Sequence, residues 1–170
     1  PQRQIADTYK VDSGKQVRKT EVLIAGGGIG GSALFRYFAE AGKKTVLINA
    51  DRGSSWRNIG GGRPAFSIPE LAEIARNNQG EVWEDTHLVE VHKNGRKYHV
   101  LLYTHDKRYI ECECDHFVNA LGYSAERFAR MLGLYTGLYP VKHQALITHR
   151  LPNLGKNGDI LDMLICLLYT

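Results

Sequence analysis

The sequence predicts an α/β fold, with a central parallel sheet joined to an antiparallel β-meander. Three observations carry that reading. A short apolar run, Val22-Leu23-Ile24-Ala25, flows directly into glycines spaced G-x-G-x-x-G at Gly26, Gly28 and Gly31. An amphipathic stretch from Ser32 to Ala41 follows, and a second apolar run, Thr45-Val46-Leu47-Ile48, comes soon after Gly42. Strand, glycine turn, helix and strand within about thirty residues is the pattern of a βαβ unit whose first turn faces a dinucleotide.

The elements read in order as follows. Residues 1–19 are polar and aperiodic, a short surface arm. Residues 20–49 are the βαβ unit. In it Gly26 makes the turn, Gly28 lets backbone approach a pyrophosphate, and Gly31 lets helix and strand pack closely. The helix N-terminus adds N–H groups and a partial positive charge. The bland alternative is a glycine-rich turn with no ligand. Residues 50–80 are loop-rich, punctuated by Gly53-Ser54-Ser55-Trp56 and Gly60-Gly61-Gly62-Arg63-Pro64. Within them Pro69 to Asn77 has helical spacing, with Pro69 suited to a first turn. The meander is Leu88-Val89-Glu90-Val91, the tight-turn pair Asn94-Gly95, Tyr98 to Tyr103, a turn at His105-Asp106-Lys107, and the alternating run Tyr109 to Cys114. A separate apolar strand, His116 to Ala120, leads through Leu121-Gly122 to a helix from Ala125 to Leu132 closed by Gly133. Gln144 to Thr148 is a last strand.

Composition excludes several classes. With 43% hydrophobic and 24% charged residues the chain can bury a core as one ordinary domain. A net charge of +4 is spread among acidic residues, which fits anionic small ligands better than a nucleic-acid surface. Three cysteines, Cys112, Cys114 and Cys166, make an odd count with no second Cys/His pair, so neither a disulfide framework nor a metal centre is expected. A reducing, cytoplasmic compartment follows. No run reaches the roughly eighteen apolar residues of a membrane span, and the start is unlike a secretory signal. The missing initiator Met and the apolar run Ile160 to Thr170 read as a processed or truncated chain with a non-native tail over 151–170.

Three segments in register resemble the FAD-binding part of the flavoenzymes related to D-amino-acid oxidase, glycine oxidase, and sarcosine and dimethylglycine dehydrogenases. The first is the glycine fingerprint. The second, Asp51-Arg52-Gly53-Ser54-Ser55-Trp56-Arg57-Asn58-Ile59-Gly60-Gly61-Gly62, is similar to the family's serine-rich loop beside the flavin. The third is Phe117-Val118-Asn119-Ala120-Leu121-Gly122-Tyr123-Ser124, like its Asn-Ala-x-Gly strand end, with Pro140-Val141-Lys142-His143-Gln144 after it. The resemblance implies a Rossmann-like FAD-binding domain over 20–150.

It also implies roles. Gly26, Gly28, Ile29, Gly30 and Gly31 would hold the pyrophosphate. Asn49 stands where the family usually carries an acid for the adenosine ribose, with Asp51 two residues on; an amide accepts a hydroxyl hydrogen bond but brings no charge. Asn49 otherwise merely ends a strand. Ser54 and Ser55 would offer hydroxyls to the phosphates, and Asn58, Gly61 and Gly62 would run past the ribityl chain and ring; otherwise this is an ordinary surface loop. Leu88 matches the position whose backbone contacts adenine, its side chain being core. Ala120 and Gly122 would end a strand near the flavin, unless Gly122 is only a turn glycine. Dimethylglycine-dehydrogenase-like members carry a flavin-linking histidine after the loop tryptophan; here Arg57 follows Trp56, so FAD is expected to be non-covalent. Arg57 would instead contact phosphate or substrate carboxylate, or be a solvated surface arginine. His143 reads as structural.

The resemblance covers the nucleotide half. The family's long substrate-domain segment is missing between Pro64 and Leu88, and no catalytic residues are identifiable. The implied activity is oxidation of the CH–NH group of an amino acid or N-methylated amine by hydride transfer to flavin, with the electron acceptor unassigned. The shortened chain is not expected to turn over substrate alone. The alternatives are a non-catalytic binding or regulatory module of the same fold and an NAD(P)-binding dehydrogenase domain.

Overall fold

The computed structural model of the 170-residue chain describes residues 17–50, 73–74 and 77–139. The chain divides into two compact units, residues 1–138 and 139–170, and the elements below lie in the first. They are β1 (Arg18–Ala25), α1 (Ile29–Glu40), β2 (Thr45–Asn49), β3 (Gly80–Glu84), β4 (Thr86–Asn94), β5 (Lys97–Thr104), β6 (Tyr109–Asn119), a 3₁₀ turn (Gly122–Ser124) and α2 (Ala125–Met131).

One six-stranded sheet runs in the order β3-β2-β1-β6-β5-β4. β3, β2, β1 and β6 are parallel, while β6-β5-β4 is an antiparallel meander. Side-chain alternation sorts the core into two faces. Val22 and Ile24 of β1 and Leu47 of β2 point toward α1, where Phe35 is fully buried among them. Leu23, Ala25, Val46 and Ile48 point the other way and pack with Leu88, Val91, Val100, Leu102, Cys112 and Cys114. β2 and β4 are far apart in strand order yet share this cluster, so the meander curls back over the face opposite α1. The parallel strands are therefore covered on both faces, which is why β1 and β2 read as continuous apolar runs and not as alternating ones. Phe128 of α2 joins the same cluster.

Local chemistry fixes the connections. The Glu21 carboxylate accepts hydrogen bonds from the Lys44 N–H (2.9 Å) and Lys43 Nζ (3.1 Å), locking the entry of β2 against β1. The Lys44 amide, followed by the Lys43 ammonium, lowers the Glu21 pKa. The β4–β5 hairpin closes where the sequence predicts but through Gly95-Arg96, one residue beyond the expected Asn94-Gly95 pair: Asn94 ends β4 opposite Lys97, and Gly95 takes the positive φ of +61°. At the β5–β6 turn Asp106 accepts hydrogen bonds from the Arg108 guanidinium and the Thr104 hydroxyl. These hold its carboxyl down at about 2. Burial pushes the Cys112 and Cys114 thiols up to about 12, as expected of small side chains sharing a core face.

Several sequence expectations need correction. Residues 109–120 were expected to form two strands, but β6 is one 11-residue strand that pairs with both β5 and β1. β1 starts inside the stretch expected to be a polar arm. β3 was not foreseen at all: its burial pattern is weak because it lies at the edge of the sheet. α1 begins at Ile29, three residues before the amphipathic stretch. Glu73, Ile74 and Asn77 are helical, in keeping with a helix over Pro69–Asn77, whose other residues lie outside the described ones. The strand expected over Gln144–Thr148 also lies outside them. Among the described residues no helix is long and apolar enough to cross a membrane.

Candidate functional site

Parallel pairing brings the carboxyl ends of four strands to one edge. Ala25 is registered with Ile48 and Asn119, and Asn49 with Glu84. In open α/β sheets that edge is where ligands bind. The glycine turn rises from its centre. The Gly26 N–H donates to the Ile48 carbonyl (2.9 Å) and the Ala120 N–H to the Ala25 carbonyl (2.8 Å). Gly26 has φ +109°, and a Cβ there would lie 2.4 Å from the Ala120 oxygen. Gly31, in the first turn of α1, is tighter still: its Cβ would lie 1.8 Å from the Gly26 oxygen. This backbone thus leaves room for no side chain at Gly26 or Gly31. Gly28 is the N-cap of α1, with no side-chain capping bond and no acidic residue in the first turn. The positive end of the helix dipole is left without a carboxylate of its own, as suits an anionic ligand. A Cβ at Gly30 or at Gly122 would meet nothing within 4 Å, so no packing constraint explains a glycine at Gly30, while Gly122 has φ +56° in the turn after β6.

Long-range contacts that the sequence does not show lock the turn from below. Ser32 is fully buried; its hydroxyl donates to the Gly27 carbonyl (3.1 Å) and its N–H to the Gly28 carbonyl (2.9 Å). Asn49 Oδ1 accepts the Gly27 N–H (3.2 Å), and a Cβ at Gly27 would sit 2.8 Å from Asn49 Cγ. So the residue at the ribose position also braces the phosphate turn. Gly27 falls on an unspecified position of the fingerprint, so only the long-range partner reveals its constraint. On the other side, Asn119 Nδ2 donates to the Ala125 carbonyl (2.8 Å), and its Oδ1 accepts the Leu121 N–H (3.4 Å). That side chain folds the chain between β6 and α2 and sets Ala120 against Gly26.

Leu88 is buried in the meander core, as expected, at a place where the β4–β5 ladder slips by one residue between Leu88 and Glu90. Asp51, Ser54, Ser55, Arg57, Asn58, Gly61 and Gly62 lie outside the described residues, so the structure gathers Gly26, Gly28, Gly31, Asn49 and Ala120 and leaves the loop untouched. The groups whose pKa values lie farthest from ordinary, Asp106 and the two thiols, belong to the meander, away from the Ala120 end of β6. The site is one of backbone shape and dipole.

A sheet edge and glycine turn of this form define a dinucleotide-binding fold. The match to a family model narrows it: residues 63–166, more than half of the chain, match the DAO family of FAD-dependent oxidoreductases, and the chain belongs to that family. The matched stretch starts beyond the glycine turn, so fingerprint and family match are separate observations. No curated protein matches the chain. Among solved structures, a geranylgeranyl bacteriochlorophyll reductase-like protein from Thermoplasma acidophilum is 18% identical with a TM-score of 0.54, over 74% of this chain and 44% of that one. The flavin-dependent monooxygenase PieE, solved with FAD and substrate, is 14% identical with a TM-score of 0.54, over 75% and 33%. A flavoprotein/dehydrogenase from Cytophaga hutchinsonii is 14% identical with a TM-score of 0.51, over 76% and 44%. At these identities the likeness is one of fold, and the chain spans less than half the length of each.

Proposed function

We propose that this chain is the FAD-binding part of an oxidoreductase acting on the CH–NH group of an amino acid or N-methylated amine. The observation that carries the reading is the close-packed turn of Gly26, Gly31 and Ala120 beneath an uncapped helix end: only glycine fits where α1 meets the turn, and the first turn of α1 carries no acidic residue to oppose a pyrophosphate. Membership of the FAD-dependent family supports FAD as the occupant. The finer substrate class rests on the resemblance of the second and third sequence segments to amino-acid and amine oxidising enzymes.

In this reading Gly28, Ile29, Gly30 and Gly31 present the amino end of α1 to the pyrophosphate, and Asn49, with Asp51, lies on the adenosine side. Ser54, Ser55, Arg57, Asn58, Gly61 and Gly62 contact phosphate, ribityl chain and ring; the Leu88 backbone meets adenine; Ala120 and Gly122 border the flavin. FAD is held non-covalently, since Arg57 follows Trp56, and when bound it supplies the hydride acceptor. The rest of the substrate pocket, the electron acceptor's site and a cytoplasmic location belong to this proposal too.

The test is uptake. The folded chain, mixed with excess FAD and passed through a desalting column, should retain absorbance near 450 nm (roughly, as flavins show). FAD at about 100 times its dissociation constant should add about 2.7 kcal/mol, raising Tm by roughly 5–10 °C. A folded chain that retains no flavin refutes the proposal; retention of NADH or NADPH in its place favours the NAD(P)-binding alternative.

A further inference from the structure

We infer that Glu84, at the carboxyl end of β3, is the carboxylate that reads the adenosine ribose hydroxyls, supplying the charged acceptor that Asn49 is not. This rests on the reading that the glycine turn holds an adenine dinucleotide, and deepens it. Three observations converge. First, Glu84 is the Cα register partner of Asn49, so their backbones are one strand spacing, about 4.8 Å, apart. Second, the two side chains share a face. Their predecessors Leu47 and Val82 are also register partners and both pack in the α1-side cluster around Phe35. Two residues further along a strand the side chain returns to the same face. Asn49 obeys this by reaching Gly27 at the foot of α1. Glu84 therefore stands on the α1 side of the sheet edge.

Third, the two residues differ in what they have left to offer. Asn49 already accepts the Gly27 N–H on its one oxygen and carries no charge. Glu84 is exposed, and no described side chain pairs with its carboxylate, while the Thr86 hydroxyl donates to its backbone carbonyl (2.9 Å) and fixes the strand end beneath it. Its strand neighbour Glu81 shows the contrast: it faces the other way and accepts the Trp83 indole N–H at 2.9 Å. A ribose lying beyond the pyrophosphate, alongside the end of β2, presents its vicinal 2′- and 3′-hydroxyls to that corner. Two hydroxyl donors match the two oxygens of one carboxylate, and hydrogen bonds to a charged acceptor are the strong ones. The same negative charge disfavours a 2′-phosphate.

The intact chain is titrated calorimetrically with ADP and with 2′,3′-dideoxy-ADP, which lacks both hydroxyls. Wild type should prefer ADP by roughly tenfold or more. Glu84→Gln, an exposed and isosteric change, should weaken ADP by that factor, leave the dideoxy ligand unchanged and abolish the preference. Glu81→Gln and Asp85→Asn, each removing a nearby negative charge, should keep the preference intact. Discrimination that survives in Glu84→Gln, or that wild type never shows while still retaining FAD, overturns the assignment of Glu84 alone. A folded wild type that binds neither FAD nor ADP overturns it together with the proposed cofactor.

Discussion

Replacing Gly31 by alanine is the sharpest probe of the glycine cradle. The added Cβ would lie 1.8 Å from the Gly26 carbonyl oxygen, and real Cβ contacts stay above 3.0 Å, so about 1.2 Å of separation must be found. The obstacle is backbone, held by the Gly26 N–H bond to Ile48, and no rotamer can relieve it. The remaining escape is for α1 to lift off β1, which opens a gap around the fully buried Phe35. Overpacking of this kind costs about 1–3 kcal/mol, and a backbone obstacle places it at the upper end. The gain in helix propensity from glycine to alanine returns about 1 kcal/mol. Net destabilisation of about 2 kcal/mol is expected, with FAD retention reduced because the turn itself is displaced. Gly30→Ala is the internal comparison: the same chemical change one residue away meets nothing within 4 Å and should be neutral or stabilise by up to about 1 kcal/mol. Urea denaturation monitored by circular dichroism measures both. If Gly31→Ala matches or exceeds wild-type stability, the close approach of α1 to the glycine turn is not what shapes this site.

The remaining predictions address the brace, the meander and its thiols. Asn49→Ala removes the acceptor for the Gly27 N–H and should weaken FAD several-fold in a fluorescence-quenching titration, while Asn49→Asp keeps an acceptor and should bind at least as well. The Asp106 carboxyl, held at about 2 by Arg108 and then Thr104, has its pKa lowered on folding, so its contribution to stability is complete above its unfolded value of 3.8 and disappears as pH falls through 2. A carbon-13 NMR titration should place its midpoint near 2 and show Arg108→Ala moving it upward. Cys112 and Cys114, with thiols pushed up to about 12 by burial, should resist iodoacetamide at pH 8 in the folded chain and react once denatured, as peptide mass mapping reads directly.

What the sequence disclosed was what is local. Gly26 and Gly31 sit in a motif whose spacing encodes the turn, and the structure supplies the atoms they would otherwise strike. Asn94-Gly95 marks its hairpin to within one residue, and β2 announces burial on both faces by having no polar alternation. What stayed hidden depends on partners distant in the chain. Gly27 looks replaceable until Asn49, 22 residues away, is found against it. β3 carries too little burial to stand out, being an edge strand, yet it places Glu84 beside Asn49. The division of residues 109–120 into two strands failed because His116 breaks the burial alternation without breaking the strand: pairing changes partner along β6, and hydrophobic pattern does not report pairing.

That uninterrupted strand makes the site dependent on more than its βαβ unit. The Gly26 turn is bounded by three backbone contacts from two neighbours: its N–H on the Ile48 carbonyl of β2, the Ala120 N–H on the Ala25 carbonyl, and the Ala120 oxygen over the Gly26 Cα. Two of the three come from the end of β6, whose position is set by Asn119 capping the turn into α2 and by the buried cysteines further back in the same strand. Those cysteines pack with Val100 and Leu102 of β5 and with Leu88 and Val91 of β4. The apolar burial that drives the meander onto the sheet therefore also holds Ala120 where the turn needs it, since β6 runs unbroken from the cysteines, where it pairs with both β5 and β1, to its end on β1, and a close-packed interior transmits position with little give. A chain ending after β3 would keep every glycine of the fingerprint and lose the wall those glycines are shaped against.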